Sequence, residues 1–186
     1  MATWVWIVIA VAAVVVVALL LWSMLRTRRT RTLKEGFGPE YDRTVADAPS
    51  RREAESELAE RQKRREELDV RPLDPRARDR YVQEWQATQA RFVDDPGGAI
   101  AEADTLIQQV MRERGYPVED FDQRAADLSV DHPEVVNNYR AAHGISIAHE
   151  RERGTTEDLR KAMQHYRSLF DELLESRQPT GAENPR

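Results

Sequence analysis

The apolar residues of this chain form one continuous run near the start and spaced stripes further on. The run covers the 19 residues from Trp4 to Trp22. At about 1.5 Å per residue, a helix of this length spans roughly 29 Å, the thickness of the hydrocarbon core of a bilayer. Trp4, Trp6 and Trp22 lie at its ends, where indole rings favour the headgroup layer. We predict a transmembrane anchor over residues 1–25.

A cleaved signal peptide is the competing interpretation of this run. Such a peptide has a basic start and an apolar stretch of about 7–15 residues, whereas this chain starts with Met-Ala-Thr and its run is longer. Positive charge follows the run and none precedes it, and positive charge stays on the cytoplasmic side. We therefore predict a single-pass protein of the plasma (inner) membrane, with its N-terminus outside and residues 26–186 in the cytosol.

The basic residues after the run are a predicted membrane-interface cluster. They set the topology, and they could in addition bind anionic lipid. Residues 26–49 as a whole show no sustained apolar period, and their glycines and prolines predict a juxtamembrane segment and linker. The cluster consists of Arg26, Arg28, Arg29, Arg31 and Lys34.

Residues 50–71 are dominated by charge. Ser50 and Glu53 form a capping box at the start of a predicted helix. A two-stranded coiled coil would need apolar side chains along one seam, and two positions of the candidate seam are arginine. We predict a charged, solvated spacer helix, and self-association through it stays open. The candidate seam consists of Ala54, Leu58, Arg61, Arg65 and Leu68.

From residue 72 onward, helix starts are marked by aspartate followed by proline. The pairs at 74–75 and 95–96 and the Asp-His-Pro at 131–133 predict starts in which aspartate caps and proline lies in the first turn. Gly115 and Gly154 mark helix ends. Apolar stripes spaced by three and four follow, and no segment alternates with period two. In the last helix the stripe consists of Leu159, Met163, Tyr166, Phe170 and Leu173.

These patterns predict an all-α fold. An N-terminal transmembrane helix and the charged spacer helix precede a compact bundle of about five helices over residues 72–176. Residues 177–186 lack an apolar pattern and are predicted to be a disordered tail.

Composition narrows the function classes. The chain has no cysteine, which excludes disulfides, thiolate catalysis and cysteine-ligated zinc. The formal net charge is −5, and no acidic residue precedes Glu35, so the rest of the chain is more acidic than this average. Such a surface repels phosphates, and we expect no nucleic-acid partner.

Seven polar residues around one predicted helix-to-helix turn form the candidate site. Asp131 is predicted to cap the second helix, with Pro133 in its first turn and His143 facing the core. An inward arginine here would need a carboxylate partner. We favour a buried ion pair that fixes the turn, and a small-ligand or catalytic pocket is the alternative. The seven residues are Arg124, Asp127, Asp131, His132, Tyr139, Arg140 and His143.

Motifs of known chemistry are missing from the sequence. It contains no His-Glu-x-x-His and no serine in a Gly-x-Ser-x-Gly turn. We therefore predict no metal, no cofactor and no catalytic residues, and consider an enzyme the less favoured class.

Two stretches carry a resemblance, GFGPEYDRTV at 36–45 and RGYPVEDFDQRAADLSVDHP at 114–133. Through them the chain resembles a family of bacterial single-pass membrane proteins, some of which are labelled secreted, and the resemblance extends over residues 35–175. It implies no activity or cofactor. We predict a membrane-tethered cytosolic helical interaction module, an adaptor or scaffold, whose partners are the lipid bilayer and a protein.

Overall fold

The computed structural model describes residues 27–175 and, before them, Trp4, Val16, Val17 and Met24. All regular secondary structure in these residues is helical, so the all-α prediction is confirmed. Residues 27–37 are helical, and seven further helices follow within the described range. These are α1 (Pro39–Asp47), α2 (Arg51–Glu67), α3 (Pro75–Arg91), α4 (Pro96–Arg114), α5 (Phe121–Asp131), α6 (Val136–Glu150) and α7 (Thr156–Glu175).

The predicted transmembrane anchor lies almost wholly outside the described residues, as do Trp6, Trp22 and Arg26. Trp4 is described, and its side chain is exposed. Among the described residues, no helix combines the length and the apolar character needed to cross a bilayer. The predicted tail at 177–186 lies outside the described residues as well.

Contacts between residues divide the chain into two compact units, Met1–Leu58 and Ala59–Arg186. The division falls inside α2, so the first half of this helix belongs to one unit and the second half to the other. The C-terminal half of α2 is thereby grouped with the helical domain, for which the sequence had predicted a start at residue 72.

Most of the segment predicted as a linker, residues 26–49, is helical in the first unit. Gly38 takes a φ of 46° between two helices, and Pro39 occupies the first turn of the second. Glycine and proline therefore mark a helix end and a helix start here. The surrounding sequence did not distinguish this short break between two helices from a longer loop. One face of the segment is buried through Leu33, Phe37, Glu40, Tyr41 and Thr44.

Glu55 of α2 connects the three helices that the structure describes in the first unit. Its carboxylate accepts hydrogen bonds from Thr30 Oγ1 at 2.8 Å, from the Tyr41 hydroxyl at 2.9 Å and from Arg51 Nε at 3.0 Å. Burial opposes ionisation of Glu55, but these three donors outweigh it and lower the pKa of the carboxyl below its usual value. The first unit is thus held by a shared carboxylate as well as by its apolar side chains.

The second unit contains a bundle of five helices, α3 to α7, as the spacing of apolar residues had indicated. Its caps match the sequence signals at three points. Asp74 accepts from the Arg76 amide, Asp95 accepts from the Gly98 amide, and Gly115 ends α4 with a φ of 97°. These positions confirm the two Asp-Pro starts and the glycine end.

The third start, at Asp131, was predicted wrongly. Asp120 caps α5, and the helix continues through Asp131, because the His132 amide still bonds to the Leu128 carbonyl. Helix α6 begins only at Val136, without a side-chain cap. Asp131 therefore ends one helix instead of starting the next.

The core of the bundle lies along α7. This helix packs against α4 and α6, and all five residues of its predicted stripe are buried. Phe170 stacks on Trp85 of α3, with ring centroids 4.5 Å apart and an interplanar angle of 15°. This apolar face was predicted in full.

The interpretation of α2 as a solvated helix was wrong for one of its faces, whereas its other side is exposed. Ala54 and Leu58 are fully buried, and Arg61 is only 7% exposed. Arg65 and Leu68 are half-buried. The seam identified in the sequence is therefore the buried face of the helix, and its arginines do not prevent burial because they find partners on α5.

Candidate functional site

Three arginines in the second half of α2 face the polar side of α5. Arg61 Nη1 donates to Ser129 Oγ at 3.3 Å. Arg64 Nε lies 3.7 Å from Asp127 Oδ1. Arg65 Nε bonds to Asp131. We call Arg61, Arg64 and Arg65 the arginine row.

Asp131 is the centre of the best-connected cluster in this region. It accepts hydrogen bonds from Arg65 and from the Tyr116 hydroxyl. The guanidinium of Arg65 lies 5.8 Å from the Tyr116 ring centroid, and that of Arg114 lies 5.7 Å from it. Burial and the Asp131 carboxylate raise the pKa of Tyr116 above its usual value. The tyrosine therefore stays protonated and donates.

His132 is buried next to this cluster, at 4% exposure. Its Nδ1 lies 3.0 Å from Glu172 Oε1 of α7, and its Nε2 is buried without a hydrogen-bond partner in the described part of the chain. Burial lowers the pKa of His132. The hydrogen bond to Glu172 raises this pKa, and the positive charge of Arg114 lowers it further, so the pKa lies below its usual value. The imidazole is therefore held neutral.

Arg114 joins the cluster to the backbone of other elements. It is 5% exposed. Its Nη1 donates to the Leu173 carbonyl at 2.9 Å, and its Nε donates to the Arg71 carbonyl at 3.3 Å. Burial lowers the pKa of this guanidinium, and the two carbonyl acceptors keep it hydrogen-bonded inside the bundle.

Arg124 lies in a second group, around Phe121. It is buried, and its Nη1 donates to the Val118 carbonyl at 2.7 Å. Its guanidinium lies 5.7 Å from the centroid of the Phe121 ring and 5.8 Å from that of Tyr139. The inward arginine is thus held by a carbonyl and two aromatic rings, in place of the close carboxylate that the sequence analysis required.

His143 lies on the other side of the same aromatic group. Its ring stacks on Phe121, with centroids 3.7 Å apart and an interplanar angle of 14°. The side chain is half-buried, so the prediction that it faces the core is only partly matched. Arg140 is half-exposed, and its Nη1 lies 3.5 Å from Asn137 Oδ1.

Their contacts place the seven predicted residues in different surroundings. Asp131 and His132 belong with α2, α4 and α7, whereas Arg124, Tyr139 and His143 gather around Phe121. Asp127 bonds to Gln123 Nε2 at 2.8 Å and faces the arginine row. The ligand pocket considered for these residues stays a prediction.

Sequence reasoning missed the partners of Asp131 and His132. Arg65 was identified only as a polar interruption of a seam. Tyr116, Arg114 and Glu172 carried no local signal, since Glu172 lies 40 residues from His132 along the chain. The spacing of the seam was the one usable signal for the arginine row, and it covered Arg61 and Arg65 but not Arg64.

Metal-binding geometry is not found among the described residues, where no three His, Asp or Glu side chains are placed to hold an ion. A surface groove with a volume of about 200 Å³ lies between α3 and α7. Val82, Trp85, Phe170 and Leu174 give it an apolar lining, and charged side chains including Arg78 and Asp171 contribute to it. The groove offers contact area and no cluster of reactive groups.

The residues that the structure describes define the class of this protein as all-α, with a five-helix bundle in the second unit. No protein-family model, no curated protein and no solved structure matches it. The resemblance to a family of bacterial membrane proteins stays a prediction.

Proposed function

We propose that the protein is a membrane-tethered helical interaction module, an adaptor or scaffold that holds a protein partner at the inner face of the membrane. The apolar run from Trp4 to Trp22, followed directly by basic residues, is the observation that carries this proposal. It supports an anchor of bilayer length and an orientation with residues 26–186 in the cytosol.

The contacts of the described polar residues also favour binding over catalysis. Asp131, His132 and Arg114 make hydrogen bonds that join α2, α4, α5 and α7. These side chains hold the helices in position relative to one another. Helix faces and the grooves between them are surfaces that a protein partner can bind.

The topology is tested by fusing a reporter that is active only outside the membrane to residue 186. We expect no activity from this fusion, and activity from the same reporter fused before Trp4. Activity of the fusion at residue 186 would contradict the cytosolic placement of the helical domain.

The interaction itself is tested by amine crosslinking in intact membranes, because Lys63 and Lys161 are both exposed. We expect a crosslinked product of defined mass that contains this chain and a second protein. The matched control is the chain without residues 1–25, which should lose the product if tethering matters. If both chains gave the same product, or neither gave any, the tethered module would be the wrong interpretation.

A further inference from the structure

The basic residues that follow the apolar run differ in whether a carboxylate neutralises them. Arg31 Nε lies 2.8 Å from Glu35 Oε1. Lys34 Nζ lies 3.5 Å from Asp42 Oδ1 and 5.9 Å from the Tyr41 ring centroid. Two bases of the predicted membrane-interface cluster therefore have acidic neighbours within their own unit.

Arg28 and Arg29 differ from these two. Both are exposed on the helical residues 27–37. Within the described part of the chain, neither has a carboxylate at salt-bridge distance. Their positive charges are therefore available to an external anion, whereas those of Arg31 and Lys34 are partly cancelled locally.

We propose that Arg28 and Arg29 bind the phosphate groups of anionic lipids at the membrane surface. This inference rests on the proposed function, because it needs the run from Trp4 to Trp22 to be in a bilayer. Arg28 follows Trp22 by six positions, so even a fully extended chain keeps the two Cα atoms within roughly 22 Å. Both guanidinium groups therefore lie close, along the chain, to the point where the predicted anchor leaves the bilayer.

The chemistry of the pair fits a lipid phosphate. Guanidinium groups present several N–H donors in a plane that matches phosphate oxygens. A nucleic acid is the less suitable partner, since recognition of its backbone needs an extended basic surface and the chain turns acidic from Glu35 onward. Attraction to an anionic membrane also needs few charges when an anchor already holds them at the surface.

The test compares full-length variants reconstituted in vesicles that contain phosphatidylcholine and phosphatidylglycerol. After mild extraction, mass spectrometry measures the ratio of the two lipids that stay bound to the protein. We expect phosphatidylglycerol to be enriched on the unchanged protein. In the double variant Arg28→Gln, Arg29→Gln, the preference should fall, by at most about fivefold for each lost charge.

A matched control removes the same number of charges from the paired bases, as Arg31→Gln with Lys34→Gln. Its lipid preference should fall clearly less, and an equal fall in both variants would overturn the assignment. The variant Arg28→Lys, Arg29→Lys keeps the charge but loses the planar set of donors, so its preference should lie between those of the unchanged protein and of the glutamine variant.

Two further arms separate this inference from its rivals. Inorganic phosphate should displace the lipid no better than chloride at matched ionic strength, and specific displacement would assign the pair to free phosphate. If the unchanged protein retains DNA and the variant Arg28→Gln, Arg29→Gln does not, the pair would be assigned to nucleic acid.

The reporter fused to residue 186 separates this inference from the proposed function. If the reporter stays inactive while this variant leaves the lipid preference unchanged, the inference fails and the proposed anchored module stands. An active reporter contradicts the module itself.

Discussion

Helices α2 and α7 both bury one face, but they bury it with opposite chemistry. Helix α7 has 20 residues and buries an apolar stripe that includes Tyr166 and Phe170. Helix α2 has 17 residues, and the side of its second half that contacts α5 consists of arginines, of which Arg61 is buried and Arg65 is half-buried. An apolar stripe can be predicted from the sequence, because apolar side chains can be buried without a specific partner. A polar buried face looks solvated until its partner is known.

The two faces also differ in how they stabilise the fold. Burial of apolar area contributes about 25 cal/mol for each Å² removed from water. A partly buried ion pair loses much of its attraction to desolvation, yet removing one partner strands the other. We therefore expect the largest losses of stability from the α7 core and intermediate losses from the contacts of Asp131.

Phe170→Ala is expected to have the largest effect. The ring is 1% exposed and stacks on Trp85, so its removal leaves a cavity beside a large aromatic neighbour. We expect the free energy of unfolding to fall by about 3–5 kcal/mol. A urea titration of the full chain measures this, with Arg167→Ala as an exposed control on the same helix. If both variants lowered the free energy of unfolding by similar amounts, the core would not lie along α7.

Asp131→Asn is expected to have an intermediate effect. The change removes the charge that Arg65 faces and weakens the acceptor of Tyr116. We expect a loss of about 2 kcal/mol in the free energy of unfolding, because a partly buried guanidinium is left without its partner. Asp79→Asn, on the exposed side of α3, is the control and should leave the stability unchanged.

The coupling between Asp131 and Arg65 sharpens this test. If the two side chains stabilise the fold through each other, Arg65→Met with Asp131→Asn should cost less than the sum of the single changes. If the two losses of stability simply add, Arg65 and Asp131 do not stabilise the fold through each other. The contacts between α2 and α5 would then depend on other side chains, and the difference in chemistry between α2 and α7 would not hold.

The sequence predicted those parts of the molecule that local rules determine. The Asp-Pro caps, the end at Gly115 and the apolar stripe of α7 follow from short-range preferences and from periodicity, and the structure confirms them. The start at Asp131 failed because a cap signal cannot show that the preceding helix continues. The surroundings of His132 could not be predicted either, since Glu172 and Arg114 reach it only through the tertiary fold.

The stability of the His132 region should depend on pH. Burial lowers the pKa of His132 in the folded protein, so below about pH 6.5 the unfolded chain takes up a proton that the folded chain resists. The contribution of the neutral imidazole to the free energy of unfolding is complete above that pH and is lost as the pH falls. We expect a slope of at most about 1.4 kcal/mol per pH unit from this group.

The variant His132→Asn isolates this contribution. Unfolding of the full chain is followed by urea titration between neutral and mildly acidic pH, and the variant should show a shallower loss of stability than the unchanged protein. Identical pH profiles would mean that the imidazole is not held neutral by its surroundings.

Arg64→Ala is expected to have the smallest effect. Arg64 is 43% exposed and lies 3.7 Å from Asp127 Oδ1, which keeps its hydrogen bond to Gln123 when the arginine is lost. Asp127 is only 2% exposed, but it keeps Gln123 as a donor, so we expect a loss of about 0.5–1 kcal/mol in the free energy of unfolding. The loss should shrink at high salt, since screening weakens an exposed pair. Arg52→Ala, on an exposed position of the same helix, should change nothing. A larger loss that ignored salt would mean that the arginine row holds α2 through packing of its aliphatic stems, as apolar side chains hold α7.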